Sequence, residues 1–259
     1  MTKTELPAKP LGRKAYGSIP HLPGSRLGPG DWSIEPAQAA LLIEAHRWNQ
    51  RHKDRVIVTE KLDGSCVAIA RLADRIVALN RAGYDCRTSP HVVHRGFARW
   101  VEAHESIFMD GLEVGARTVG EWLQIAHGTR YDIHSDMDLF VPFDIIEPGR
   151  DRGIPERRVV HDELHERVRA MGLRPANVLH DGGALPTAEA LVLLGERGAH
   201  GALETAEGVV YRIETNGAFN YVAKLVRQGK VDGRYLAGLA STQATQETFN
   251  GPAAERWAA

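Results

Sequence analysis

Two β-branched runs, Arg55-Val56-Ile57-Val58-Thr59 and Cys66-Val67-Ala68-Ile69-Ala70, stand six residues apart, and no other stretch constrains this chain as much. Between them lies Glu60-Lys61-Leu62-Asp63-Gly64-Ser65. Asp63-Gly64 is a pair that tolerates positive φ, so the spacing predicts a β-hairpin with the primary amine of Lys61 at the mouth of its turn. Taken alone, the segment reads as an ordinary hairpin, and only the residues downstream of it give it chemical meaning.

Residues 1–34 are rich in Gly and Pro (Pro20, Pro23, Gly24, Gly28, Pro29, Gly30) and read as an irregular arm. Pro36, then Ala40, Leu41, Ile43, Ala45 and Trp48, predicts an amphipathic helix to about Gln50. Arg75–Asn80 reads as a third strand ending in Arg81-Ala82-Gly83, and His91–His104 has helical spacing. Thr118–Leu123 and Leu139–Ile146 read as strands, the second so continuously apolar that it should be buried on both faces. Two helices are expected over residues 155–171 and 186–198, then strands over Glu207–Ile213 and Phe219–Val226 joined at Thr215-Asn216-Gly217. A short helix to about Leu239 and a polar, Ala-rich tail over 241–259, expected to be disordered, complete the chain. Clustered strands with helices between them predict one α+β domain of antiparallel sheets flanked by helices over residues 35–240.

A net charge of −1 gives no overall attraction to a polyanion, so a nucleic-acid partner would need a local basic surface. The two cysteines, Cys66 and Cys86, form no disulfide framework or zinc spacing. With no apolar leader and no run long enough to span a bilayer, a cytoplasmic protein away from membranes is expected.

Five separated segments carry chemistry in order: Lys61-Leu62-Asp63-Gly64-Ser65, Arg81-Ala82-Gly83, Gly120-Glu121-Trp122-Leu123, Glu207-Gly208-Val209-Val210-Tyr211 and Ala223-Lys224-Leu225-Val226-Arg227. Together they resemble the covalent nucleotidyltransferases, the superfamily of ATP-dependent RNA and DNA ligases and messenger-RNA capping enzymes. The resemblance implies a single nucleotidyltransferase domain of the ATP-grasp-like ligase kind, with no separate oligonucleotide-binding domain. It also implies ATP and Mg²⁺ or Mn²⁺ as cofactors. Lys61 would be the nucleophile, and an amine with an ordinary pKa of about 10.4 needs nearby cations to lose its proton. Arg81, Lys224 and the metal could supply them. Asp63, Gly64 and Ser65 would shape the nucleotide turn, Glu207 would hold the metal, and Glu121 would take the ribose hydroxyls beside a Gly120 that permits close approach. Phe143, in Phe140-Val141-Pro142-Phe143-Asp144, would stack on adenine against an apolar wall from Val209, or else be a plain core aromatic.

Glu60 directly before the lysine, the Phe140–Asp144 segment, the Lys224 segment and the arm Ile19–Arg26 are similar to RNA ligases of the phage nick-sealing type. That likeness implies transfer of AMP from Lys61 to a 5′-phosphate end, then joining to a 3′-hydroxyl, with RNA as the nucleic-acid partner. Arg26 and Arg87 are candidates, with Arg81, for its phosphates. Two departures stand out. The second cation of the last motif is displaced from Val226 to Arg227, on the other face of a regular strand. The flanks are also short, so end joining would depend on a protein partner or be confined to certain nicks. A DNA ligase, a GTP-using capping enzyme and an end-binding subunit without turnover are the alternatives. His161-Asp162-Glu163-Leu164-His165 has zinc-gripping spacing but lacks a glutamate after its first histidine, and it is expected to be an exposed polar helix face. His91 and His94 are read the same way.

Overall fold

The computed structural model describes residues 8–44, 54–149, 155–236 and 249–257. Those residues form two antiparallel sheets. The first has the order β7-β1-β8-β9, with β1 at Asp54–Lys61, β7 at Val178–Gly182, β8 at Gly208–Thr215 and β9 at Ala218–Val226. The second has the order β3-β2-β4-β5-β6, with β2 at Ser65–Arg71, β3 at Ile76–Asn80, β4 at Arg117–Trp122, β5 at Phe140–Glu147 and β6 at Arg157–Arg158. Six helices accompany them among the described residues: α1 Pro36–Ile43, α2 Val92–Ala103, α3 Glu105–Gly111, α4 His161–Ala170, α5 Thr187–Leu194 and α6 Pro252–Glu255. The expected α+β domain of antiparallel sheets is what forms.

The expected hairpin around Lys61 does not form. β1 pairs with β7 and β8, while β2 pairs with β3 and β4, so residues 62–64 carry the chain from one sheet to the other. Gly64 accordingly serves close approach and not a positive φ, since a Cβ there would lie 2.6 Å from the Trp122 carbonyl oxygen. Asn216 (φ 54°) and Gly217 (φ 71°) do make the left-handed pair of a tight hairpin turn, joining β8 to β9.

Alternation sorts each strand by face. Val56 and Val58 of β1, Val209, Tyr211 and Ile213 of β8, and Ala223 and Leu225 of β9 pack with Leu42 of α1 and Ala190 and Leu194 of α5. Their neighbours Thr59, Lys61, Val210, Arg212, Val222 and Lys224 line a cleft towards the second sheet. In that sheet Val67, Ile69 and Val141 pack with Phe97, Trp100 and Val101 of α2 and Leu164 and Val168 of α4. Ala68, Ala70, Val119 and Leu79 face the other way, with Tyr16 from the arm.

Three further expectations need correction. The strand Val178–Gly182 is hidden in sequence, because four of its residues, His180 among them, are only half-buried and Asp181 is exposed. The helix expected from residue 155 starts at His161, after the short edge strand β6. In the expected polar tail, residues 249–257 are packed: Ala253 and Ala254 are buried against the α2 cluster, and Asn250 donates to the Leu123 carbonyl at 2.7 Å and accepts from Tyr131 N at 2.9 Å. The remainder of that tail, Leu239, Ala45 and Trp48 lie outside the described residues. The arm, for its part, lies along β9, with Leu22 N donating to Lys224 O at 2.8 Å and Lys224 N to Pro20 O at 2.9 Å. No helix among the described residues is long and apolar enough to cross a membrane.

Candidate active site

Between the sheets lies a cleft of about 570 Å³. Lys61 ends β1 there, and its Nζ sits 2.5 Å from Oε2 of Glu207, the residue that leads into β8. Burial alone would depress the Lys61 pKa, but the carboxylates of Glu207, Glu121 and Asp63 overcome that and raise it. This reverses the expectation that cations would dominate the amine's surroundings. The Arg81 guanidinium, although it borders the cleft, donates to Ser18 Oγ at 2.7 Å and Gly17 O at 3.2 Å.

The carboxylates respond to burial in turn. Glu121 is pushed up to about 7 by desolvation, against the pull of Lys61, and its Oε1 accepts from Gly64 N at 3.0 Å. Glu207 is pushed up to about 6 for the same reason, again against Lys61. Glu121 reaches the cleft because it alternates with Trp122, which is fully buried on the helix side. Gly120 is bare for packing: a Cβ there would meet the Phe140 ring at 2.5 Å and Val141 O at 2.6 Å.

Lys224, on β9 opposite Val210, lies 3.7 Å from Asp31 of the arm, whose other oxygen is 3.1 Å from His21 Nε2. Burial, and then the charge of Lys61, lower the Lys224 pKa. Phe143 lines the cleft and meets the Tyr16 ring edge-on at 5.3 Å. Ser65 Oγ is 3.2 Å from His127 Nε2. Asp63 braces the crossover, accepting from Gly128 N at 2.8 Å while its own N–H donates to Tyr131 Oη at 3.0 Å.

Lys61, Glu121, Glu207, Lys224, Arg81, Phe143, Gly64 and Ser65 thus converge, whereas Val209, Arg227, Arg26 and Arg87 do not, and Glu60 borders the cleft but directs its carboxylate elsewhere. Val209 is fully buried in the α1/α5 core, and Val210 takes the cleft wall. Glu60, its register partner, turns its carboxylate to the 198–200 loop, accepting from Ala199 N at 2.8 Å. Arg227 donates to Gly195 O at 2.5 Å, away from the cleft lining. Arg26 is paired with Asp232, and Arg87 with Asp85 at 2.7 Å. Neither arginine lines the cleft.

Residues that sequence reasoning missed complete the walls. His127 and His94 border the cleft, and Lys230 Nζ donates to Gly128 O at 3.0 Å and Thr205 O at 2.9 Å, close enough to Asp63 and Glu207 to feel their charges. His161 and His165, expected on an exposed face, are 5% and 9% exposed and line the cleft. His161 does lie near Asp162 and Asp181, within 4.8 Å ligand to ligand, but Arg55 already holds both carboxylates with short hydrogen bonds.

Known proteins share this architecture. The model of a family described as RNA ligase matches residues 54–226. No curated protein matches the chain. Among solved structures, it is similar to an RNA ligase of Naegleria gruberi with PPi, at 17% identity and a TM-score of 0.50, covering 85% of this chain and 60% of that one. An apo mutant of the same ligase gives 16% identity and a TM-score of 0.50 over 85% and 60% of the two chains. An archaeal ATP-dependent RNA ligase gives 20% identity and a TM-score of 0.47 over 72% and 46%. At such identities the likeness to the Naegleria chains is one of fold. The chain spans about three fifths of the length of the Naegleria chains.

Proposed function

This chain belongs to the RNA ligase family, and from that premise we propose that it is an ATP-dependent RNA ligase working through a lysyl-AMP intermediate on Lys61. The observation that carries the reading is the meeting of Lys61 with Glu121, Glu207, Lys224 and Arg81 in one cleft that also holds Phe143. In the first step Lys61 Nζ attacks the α-phosphorus of ATP, a P–N bond forms, the P–O bond to pyrophosphate breaks, and the amine's proton is lost. In the second, a 5′-phosphate oxygen of RNA takes the AMP. In the third, a 3′-hydroxyl displaces AMP and closes the strand. The nick-sealing subtype belongs to this proposal, as do the 5′-phosphate and 3′-hydroxyl ends.

Residues of the cleft fit these tasks. Lys224 and Arg81 are cations facing the space where phosphates would lie, and Phe143 with Val210 and Val222 offers apolar surface to a base. Glu207 presents the hard oxygen donors that Mg²⁺ or Mn²⁺ prefers, and Glu121 beside it would take the ribose hydroxyls. Such an ion, when bound, offsets phosphate charge and relieves the carboxylate field that keeps Lys61 protonated.

The test incubates the protein with α-labelled ATP and Mg²⁺ or Mn²⁺, quenches in denaturant and follows label on the polypeptide, with Lys61→Ala and labelled GTP in parallel. Acid-labile label from ATP, lost in Lys61→Ala, is expected, and a nicked RNA duplex should then discharge it. Label from GTP alone would redirect the reading to capping. An unlabelled, folded protein stripped of prebound AMP would sink it.

A further inference from the structure

We infer that His161 and His165 form the base-reading end of the cleft, hydrogen-bonding the six-position edge of the adenine ring. The inference rests on the ligase reading for the identity of the nucleotide, but its geometry is independent of Lys61 chemistry.

Position comes first. Lys61 is paired with Gly208 and Ile57 with Arg212. The cleft face at Arg212 is therefore four residues further along β1 and β8, about 13 Å from the reacting amine's backbone at the usual rise per residue. Between the two points the walls are Val210, Val222, Pro142 and Phe143. The first turn of α4 closes the far end and is firmly anchored: His161 N donates to Glu214 Oε1 at 2.6 Å, Arg212 donates to the Val159 carbonyl, and Arg55 grips Asp162. A reader placed there would be rigid, as selective recognition requires.

The chemistry points the same way. The two rings lie 4.1 Å apart, and Nε2 of His161 is buried with no hydrogen-bond partner among the described residues. A buried polar atom left unpaired costs free energy, and its survival in a cavity wall suits a partner brought by a ligand. Burial and neighbouring arginines lower the His161 pKa, while burial and His161 lower that of His165 to about 4. Both rings are therefore neutral near pH 7, and each offers one donor and one acceptor. Adenine presents the matching pair, an amino donor at position six beside the N1 acceptor.

The test compares ATP with purine riboside triphosphate, which has the same ring system without the six-amino group. Dissociation constants are measured by equilibrium binding for wild type, His161→Ala, His165→Ala and the conservative His165→Asn, with thermal unfolding as the folding check. Covalent label is followed alongside. Wild type is expected to prefer ATP by about tenfold. The alanine variant at the histidine that accepts the amino group should weaken ATP about tenfold while barely changing the analogue, so that the preference collapses, and the variant at the histidine that donates to N1 should weaken both nucleotides. Equal weakening of both nucleotides by both alanine variants, or a wild type indifferent to the amino group, would overturn the inference. If nucleotide binds with the expected preference but no label forms, the ligase reading fails and the base-reading assignment stands. If nothing binds, both fail.

Discussion

The ammonium of Lys61 and the carboxylate of Glu207 form a 2.5 Å ion pair inside the cleft, joining the end of β1 to the start of β8. Because Glu207, Glu121 and Asp63 outweigh the effect of burial, the amine is held in its protonated, non-nucleophilic form. Self-adenylation at saturating ATP should therefore rise with pH, approaching tenfold per unit wherever amine deprotonation limits the rate. Glu207→Gln removes one raising charge, so its plateau should come at lower pH even though the variant is slower throughout. Single-turnover labelling between pH 6 and 10 checks this, and an unshifted profile would contradict it.

Glu121 has the opposite relation to pH. Its folded pKa, pushed up to about 7 by burial, exceeds the ordinary carboxylate value of about 4.3. Protonation therefore favours the folded state: its contribution is fully present below about pH 4.3 and is lost as pH rises through about 7. Glu121→Gln should raise the Tm of the nucleotide-free protein at pH 8 and leave it nearly unchanged at pH 4.5. Scanning calorimetry at both pH values tests the sign.

Gly64→Ala places a methyl group against the Trp122 carbonyl, where the nearest distance would be 2.6 Å. The Trp122 backbone has little room to yield and Leu123 Cδ2 is 3.0 Å away, so a loss of about 1–3 kcal/mol is expected, with slower labelling of Lys61. Gly229→Ala, which meets nothing within 4 Å, should stay within about 0.5 kcal/mol of wild type. Urea unfolding of the two variants gives the comparison.

Lys224 and Arg227 separate cleanly by face. Lys224→Ala removes a cation from the cleft and should lower kcat/KM for lysyl-AMP formation by at least tenfold. Arg227→Ala breaks a bond to the Gly195 carbonyl and should reduce stability modestly while leaving ATP kinetics within about twofold. Equal kinetic losses in both would assign Arg227 to the same task as Lys224.

Apolar alternation and turn residues are local properties, so most strands, the α2 helix, the β8–β9 turn and the antiparallel α+β class could be read from sequence alone. So could the set Lys61, Glu121, Glu207, Lys224, Arg81 and Phe143, because each sits in a short segment whose order along the chain is informative. Tertiary structure decided which strands pair. β1 has β8 and β7 as neighbours in place of β2, since the core beneath Val56 and Val58 is completed by Tyr211, Leu225 and α5 from far along the chain. Pairing in turn fixed which residues face the cleft: Val210 and not its neighbour Val209, Lys224 and not Arg227 three positions on. It also turned His161 and His165 inward, because a helix's polar stripe is solvated only if no second sheet stands opposite it.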